Sequence, residues 1–164
     1  MSERGGIRIE PLEDSLRTWA RRLLVERWGS TEVVSRGRLH RADELPGFVA
    51  LRAHRPLGLL TYLVEGDACE IVSLDAVRDG LGVGSALLVA AGKAALEAGC
   101  CRLWLITTND NLAALRFYQR RGFRCVALHA DALTRSRELK PGIPELGLHG
   151  IPIRDEIELE LALP

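Results

Sequence analysis

The stretch VRDGLGVGSALL, residues 77–88, decides the fold because it joins a predicted strand to a predicted helix. The apolar run 71–74 precedes it, and a run rich in alanine and leucine follows it. Its three glycines alternate with Leu81 and Val83, and glycine lets a backbone turn sharply and accept close neighbours. A helix N-terminus exposes unpaired N–H groups and partial positive charge. The sequence therefore predicts an anion cradle here, best suited to phosphate.

Three kinds of phosphate-binding loop compete for this stretch. The dinucleotide pattern Gly-x-Gly-x-x-Gly fails on glycine spacing and on the missing acidic residue about 20 positions on. The nucleotide P-loop needs Gly-Lys-Ser/Thr, but Ser85 follows Gly84 directly. The run DGLGVG, residues 79–84, resembles the third pattern, Gln/Arg-x-x-Gly-x-Gly/Ala, which is the pyrophosphate loop of the GNAT superfamily of acyl-CoA-dependent N-acyltransferases. Asp79 departs from it, although such a loop acts mainly through backbone N–H groups.

A second stretch, NDNLAALRFYQRRGF at residues 109–123, resembles the other GNAT signature, Asn-x-x-Ala-x-x-Phe-Tyr-x-x-x-Gly-Phe. It lies at the expected distance downstream, after one predicted helix and one predicted strand. The two motifs and the elements between them cover residues 68 to 125. The chain is therefore identified as a member of the GNAT superfamily, and this resemblance implies acetyl-CoA as cosubstrate.

Length and composition predict one domain, residues 1–164, with apolar residues making up 47% of the chain. No apolar run approaches the ~20 residues of a membrane span, and the N-terminus lacks a signal-peptide layout. We therefore expect a cytoplasmic protein with no membrane partner. Lys+Arg and Asp+Glu number 22 each, a balance that argues against nucleic-acid binding. The four cysteines show no metal-ligand spacing, so we expect buried, reduced thiols and no metal.

The first half of the chain is predicted to hold five or more elements. Residues 7–10 form a strand, and Pro11 opens a helix with an apolar stripe that Gly29 stops. Trp19 and Trp28 are assigned to the core. Short strand pieces flank Gly37, and residues 48–52, 57–64 and 69–74 form an antiparallel meander.

The second half is predicted to continue with a crossover. A helix follows the glycine loop, and a buried strand at 102–107 then pairs parallel to the third meander strand. A helix at 111–121, a strand at 123–128, helical turns at 132–140, a loop at 141–152 and a last strand with one wet face complete the chain. The fold class is a mixed α/β sandwich with helices on both faces of a central sheet, which is also the GNAT order.

Tyr118 lies seven residues after Asn111, so both fall on one helix face with the small Ala114 between them. A structural interpretation makes Asn111 a helix cap and Tyr118 a half-buried phenol. The resemblance implies instead that Asn111 contacts the pantetheine arm and that Tyr118 donates a proton to the departing thiolate. A phenol is neutral at pH 7, and its usual pKa of about 10 lies near the 8.5 of a thiol.

A catalytic base must take the proton of the acceptor ammonium, directly or through water. Glu70 is the first candidate because several GNAT members place a glutamate on this strand, and Asp75 is the second. A solvated edge-strand carboxylate is the structural alternative for Glu70. None of the four histidines has a partner that the sequence identifies.

The resemblance assigns the remaining cosubstrate contacts to the end of the feeding strand, to the glycine loop and to the following helix. Arginines 78, 116, 120 and 121 are candidates for the CoA phosphates, and the loop at 141–154 for the acceptor pocket or a homodimer contact. The predicted cosubstrate-binding residues are Leu74, Ala76, Asp79, Gly80, Leu81, Gly82, Val83, Gly84, Ser85, Asn111, Ala114 and Tyr118.

The resemblance implies an N-acetyltransferase that transfers acetyl from acetyl-CoA to a primary amine by direct attack. The acceptor is a small molecule or a peptide, and the sequence does not say which. The alternative is a GNAT-fold module that holds acyl-CoA as a sensor without turnover. Retention of Tyr118 and of a carboxylate on the feeding strand favours the enzyme.

Overall fold

The computed structural model describes residues 5–164, which form nine strands and four α-helices. In chain order they are β1 (Arg8–Pro11), α1 (Asp14–Trp28), β2 (Glu32–Ser35), β3 (Arg38–Arg41), β4 (Gly47–Arg52), β5 (Arg55–Glu65), β6 (Ala68–Ala76), α2 (Val83–Glu97), β7 (Arg102–Thr108), α3 (Leu112–Gln119), β8 (Arg124–His129), α4 (Ala132–Leu139) and β9 (Glu156–Ala162). Seven strands form one mixed sheet in the order β1-β4-β5-β6-β7-β9-β8. The predicted fold class is confirmed.

The centre of the sheet combines the predicted meander with the predicted crossover. Strands β4, β5 and β6 pair antiparallel, and α2 carries the chain over to β7, which pairs parallel to β6. The β6–β7 ladder ends at Ile71 and Leu105, although the strands continue to Ala76 and Thr108. Beyond these two residues the backbones no longer pair, and we call this opening the wedge.

Each face of the sheet carries its own apolar core, because side chains alternate between faces along a strand. One core joins α2 and α3 to the sheet through residues such as Leu87, Leu103 and Tyr118. The other packs α1 on the opposite face through Leu24 and Val72, among others. Because both faces of the sheet are buried, the central strands consist of nearly continuous runs of apolar residues.

The strand pieces predicted around Gly37 form a separate hairpin of β2 and β3. Gly37 has φ +72°, a left-handed conformation that glycine adopts without strain. Ser35 and His40 of this hairpin are buried, although most of its remaining residues are not. The hairpin thus covers part of the α1 face of the sheet.

Four sequence predictions are wrong in detail. Pro11 does not open a helix: it ends β1, an edge strand where a missing N–H is tolerated, and α1 begins at Asp14. Trp28 ends α1 with 39% of its surface exposed rather than in the core. Cys101 and Cys125 are exposed, and only the other two thiols are buried. Glu156 is buried although the last strand was expected to have a wet face, because the turn of the β2–β3 hairpin covers it and the Arg36 N–H donates to its Oε2.

The residues from 141 to 155 form a loop, as expected, and side chains from elsewhere fix it. Asp110 accepts hydrogen bonds from Thr108 Oγ1 and from the backbone N–H of Leu148. Asn109 accepts from two backbone N–H groups of the loop and donates to a third residue's carbonyl, and Arg137 donates to the carbonyl oxygens of Ile143, Pro144 and Ile153. The loop is therefore a preordered surface next to the start of α3.

Across residues 5–164 no helix has the length and apolar character needed to cross a membrane. Within the same range, no group of three or more His, Cys, Asp or Glu side chains is arranged to hold a metal ion.

Candidate active site

The glycine loop places the start of α2 at the wall of a cavity. Gly80 and Gly82 have φ values of +80° and +75°, which L side chains rarely adopt, so glycine is required for this turn. Gly82 caps α2, and no side chain caps the helix in its place. The first N–H groups of a helix have no partner within it, and they carry the positive end of the helix dipole. The loop therefore keeps the donor set that an anion such as a pyrophosphate requires.

This cavity has a volume of about 660 Å³ and lies between the glycine loop, the end of β6 and α3. Its lining includes most of the residues predicted to bind the cosubstrate: Leu74, Ala76, Asp79, Gly80, Gly82, Val83, Gly84, Ser85, Ala114 and Tyr118. Arginines 78, 116, 120 and 121 line it too. The four guanidinium groups give the cavity the positive charge that phosphates would need.

Two predicted residues, Leu81 and Asn111, are not part of this lining. Leu81 is at the exposed outer side of the turn. Asn111 caps α3, because its Oδ1 accepts a hydrogen bond of 3.1 Å from the Ala114 N–H. The structural interpretation of Asn111 as a helix cap thus describes what its side chain does.

Tyr118 closes the inner end of the cavity and is 8% exposed. Its ring packs edge-on against Phe117 and Phe123, with centroids 5.1 and 5.4 Å away. Among the described residues its hydroxyl has no hydrogen-bond partner. Burial raises the pKa of Tyr118 well above its usual value, the charge of Asp75 adds to this, and Arg121 opposes it. The phenol is therefore neutral at physiological pH and free to donate.

Phe117 and Arg121 form a platform under the loop. The Arg121 guanidinium lies 3.6 Å from the Phe117 ring centroid, and its Nε donates to Ser85 Oγ at 2.8 Å. Gly84 lies so close to the ring that an added Cβ would be 2.8 Å from Phe117 Cζ. Gly84 is thus needed for close packing of α2 on α3.

We expect Gly84→Ala to be less stable than its matched control Gly92→Ala, by about 1 kcal/mol or more. Both glycines lie in α2, where alanine is favoured by about 1 kcal/mol, but a Cβ at Gly92 meets nothing within 4 Å. At Gly84 the Phe117 ring must move, which offsets that gain and disturbs the platform. Urea unfolding of both variants measures the difference. Equal stabilisation would show that the contact with Phe117 is not limiting.

Glu70 is outside the cavity lining, on the α1 face of β6 beneath the β2–β3 hairpin. It is 6% exposed, so its description as a solvated edge carboxylate is wrong; β6 is an interior strand. Ser35 Oγ donates to Glu70 Oε1 at 2.6 Å, and His40 Nε2 lies 3.7 Å from Oε2. Burial raises the pKa of Glu70 to about 7, against the lowering effect of the Ser35 hydrogen bond. The carboxylate can therefore exchange a proton near neutral pH.

Glu70 nevertheless lies at the closed end of the wedge, since it directly precedes Ile71, the last β6 residue paired with β7. Asp75 lies further along β6, where Trp28 Nε1 donates to its Oδ2 at 2.8 Å. Burial raises the pKa of Asp75, and the hydrogen bond from Trp28 opposes this. Both candidate bases thus belong to the strand that borders the cavity.

The sequence missed the surroundings of both carboxylates. Ser35 and His40 are 35 and 30 positions from Glu70, and Trp28 is 47 positions from Asp75. No motif or periodic pattern connects residues so far apart. The strand pieces predicted around Gly37 were the only available signal, and the sequence did not place them beside Glu70.

The site thus combines an anion cradle, a parted pair of parallel strands and a neutral phenol at the inner end of the cavity. Residues 13–123 match the acetyltransferase (GNAT) family. The chain belongs to the GNAT acetyltransferase family, which is a family of acyltransferases.

The chain is 46% identical over 133 residues to the uncharacterized protein YxbD of Bacillus subtilis (strain 168), covering 80% of this chain and 84% of YxbD. An IAA acetyltransferase from Bacillus cereus ATCC 14579 superimposes with a TM-score of 0.73 at 24% identity, over 96% of this chain and 100% of that one. A Bacillus subtilis acetyltransferase solved in complex with CoA has a TM-score of 0.67 at 23% identity, with 97% and 100% coverage. These two structures support the fold alone.

Proposed function

We propose that this protein transfers the acetyl group of acetyl-CoA to a primary amine by direct attack. The observation that carries the proposal is one cavity in which the start of α2, which no side chain caps, meets four arginines and the Tyr118 phenol. Backbone N–H groups and guanidinium groups suit a pyrophosphate, and the adjoining wedge offers unpaired strand backbone to amide groups. The Bacillus subtilis neighbour solved with CoA agrees with this choice of cosubstrate.

In the proposed reaction, Glu70 accepts a proton from the acceptor ammonium, directly or through water. The amine nitrogen then attacks the thioester carbonyl carbon, so that a C–N bond forms and the C–S bond breaks. A base with a pKa near 7 suits this task, since it is about half ionised at neutral pH and can hold the proton that it accepts. Asp75 is the second candidate, and its engagement by Trp28 makes it less free.

Tyr118 donates a proton to the departing thiolate, and the second proton that the nitrogen loses as it becomes an amide restores the phenol. Its raised pKa moves it away from the usual value of a thiol, but the same burial disfavours the thiolate form and raises the thiol's pKa too. The difference between the pKa values of the phenol and the thiol therefore changes less than the raised pKa of the phenol alone implies. Asp75 contributes here by keeping the phenol protonated.

The experiment that tests the function is release of free thiol from acetyl-CoA across a panel of small amines and N-terminal peptides. We expect amine-dependent thiol release, with CoA and acetyl-CoA also raising the melting temperature more than ATP or NADH do. A melting-temperature rise without thiol release from any amine would favour the sensor alternative. Equal shifts from all four nucleotides would count against the cavity as an acyl-CoA site.

A further inference from the structure

The side chain of His40 is buried and carries an unpaired ring nitrogen. It is 5% exposed, and its Nε2 has no hydrogen-bond partner among the described residues. Buried polar atoms of native proteins are nearly always paired, and an unpaired one often has a catalytic role. The nearest carboxylate oxygen, Glu70 Oε2, is 3.7 Å away, which is too far for a hydrogen bond.

The two oxygens of Glu70 are in different surroundings. Oε1 accepts the Ser35 hydroxyl, which favours the ionised carboxylate. Oε2 lies 3.7 Å from His40 Nε2, and no hydrogen bond joins the two atoms. If a proton is added to Oε2, the carboxyl can donate to the lone pair of Nε2 once the gap closes to about 2.8 Å. When the neutral imidazole carries its proton on Nδ1, protonation of Glu70 satisfies both buried groups.

We infer that Ser35 and His40 of the β2–β3 hairpin are positioning residues for Glu70. Each stabilises a different protonation state of the carboxyl group, and each acts on a different oxygen. Ser35 holds Oε1 in the ionised state, and His40 Nε2 accepts a hydrogen bond from Oε2 after Glu70 has taken the acceptor's proton. The step is balanced: the ammonium loses one proton, Oε2 gains it, and neutral His40 only accepts the hydrogen bond. This inference rests on the proposed role of Glu70 as the base.

A permanent ion pair between His40 and Glu70 is the competing interpretation. It requires a protonated imidazole, yet burial and the charge of Arg38 lower the pKa of His40 below its usual value. A neutral imidazole that donates from Nε2 to ionised Glu70 is the other alternative, and it predicts a rise of the Glu70 midpoint in His40→Leu. Other charges around Glu70 belong to β3, β5 and β9: Arg38 lowers its pKa, while Glu65 and Glu156 raise it. Arg38 and Glu65 also pair with each other, so their effects on Glu70 partly cancel.

The test is a direct titration of Glu70 by NMR of the full chain labelled with carboxyl-¹³C glutamate, with the signal assigned by its loss in Glu70→Gln. In Ser35→Ala the midpoint should rise by about one pH unit, because a bond to the ionised form is lost. In His40→Leu, which keeps the site apolar, the midpoint should fall by about one pH unit, because a bond to the protonated form is lost. Midpoints that move together, or a rise in His40→Leu, would overturn the inference.

Control variants separate positioning from general disturbance. Ser136 is also a buried serine, whose hydroxyl donates to the Ala132 carbonyl in α4, so Ser136→Ala should leave the Glu70 midpoint unchanged. Ser35→Thr keeps a hydroxyl and should restore a midpoint near that of the parent protein. His40→Met replaces His40→Leu if the latter does not fold, with the same expected fall. A shift in Ser136→Ala as large as that in Ser35→Ala would contradict the inference.

Turnover measured against pH distinguishes this inference from the proposed function. If the acidic limb of the kcat/KM profile shifts with the NMR midpoint in Ser35→Ala and in His40→Leu, the proposed function and the positioning inference are both supported. If the midpoints move as expected and the limb does not follow, the positioning is correct but Glu70 is not the base. If Glu70→Gln abolishes turnover but the Glu70 midpoint does not change in Ser35→Ala or His40→Leu, the positioning inference is wrong and the proposed role of Glu70 is retained.

Discussion

Replacing Tyr118 by phenylalanine is expected to lower turnover by about 10²–10⁴-fold, which is the usual contribution of a general acid. The ring remains, so its packing on Phe117 and Phe123 should be retained. The lost hydroxyl has no hydrogen-bond partner among the described residues, so removing it leaves no protein group unpaired. Affinity for acetyl-CoA should therefore change little, by no more than the ~1 kcal/mol of one hydrogen bond.

The matched control is Tyr62→Phe, which removes the only other tyrosine hydroxyl. The Tyr62 ring stacks on Phe48 with the ring centroids 5.7 Å apart, and Tyr62 does not line the cavity. The turnover of Tyr62→Phe should therefore stay near that of the parent protein. Steady-state turnover and calorimetric binding of acetyl-CoA, measured on both variants, separate catalysis from binding. Near-normal turnover in Tyr118→Phe would remove this phenol from the mechanism and strengthen the sensor alternative.

Gly82→Val is expected to weaken CoA binding by roughly 10–100-fold, the equivalent of losing one charge-assisted hydrogen bond. Gly82 has φ +75°, and a Cβ there meets no protein atom within 4 Å. The new side chain would therefore occupy the cavity at the start of α2, where an anion must approach the backbone. The β-branched residue also strains a left-handed conformation, which costs stability by about 1–3 kcal/mol.

Gly99→Val is the control for that strain. Gly99 follows α2 with φ +81°, and a Cβ there also has no neighbour within 4 Å, but it is not a lining residue. Both variants should lose similar stability in thermal unfolding, while only Gly82→Val should lose CoA affinity by calorimetry. If both bind CoA like the parent protein, the anion cradle is not at the start of α2.

The sequence by itself determined the frame of the molecule. The glycine loop, the meander, the crossover helix and Tyr118 could all be placed because they depend on contacts between near neighbours in the chain. Turn chemistry requires glycine wherever φ is positive, as at Gly82, and helical spacing fixes which residues share a face. The cap formed by Asn111 is equally local, with its partner Ala114 three positions away.

Only the tertiary structure decided the environment of the candidate base. The Glu70 carboxylate is buried because the β2–β3 hairpin folds over β6, and the hairpin's Ser35 and His40 belong to a segment far away in the chain. Likewise, Glu156 is buried because the turn of the same hairpin lies over it, although its alternating sequence predicts a wet face. Burial, and the pKa that follows from it, depends on which distant segments cover a residue, and local patterns carry no information about that.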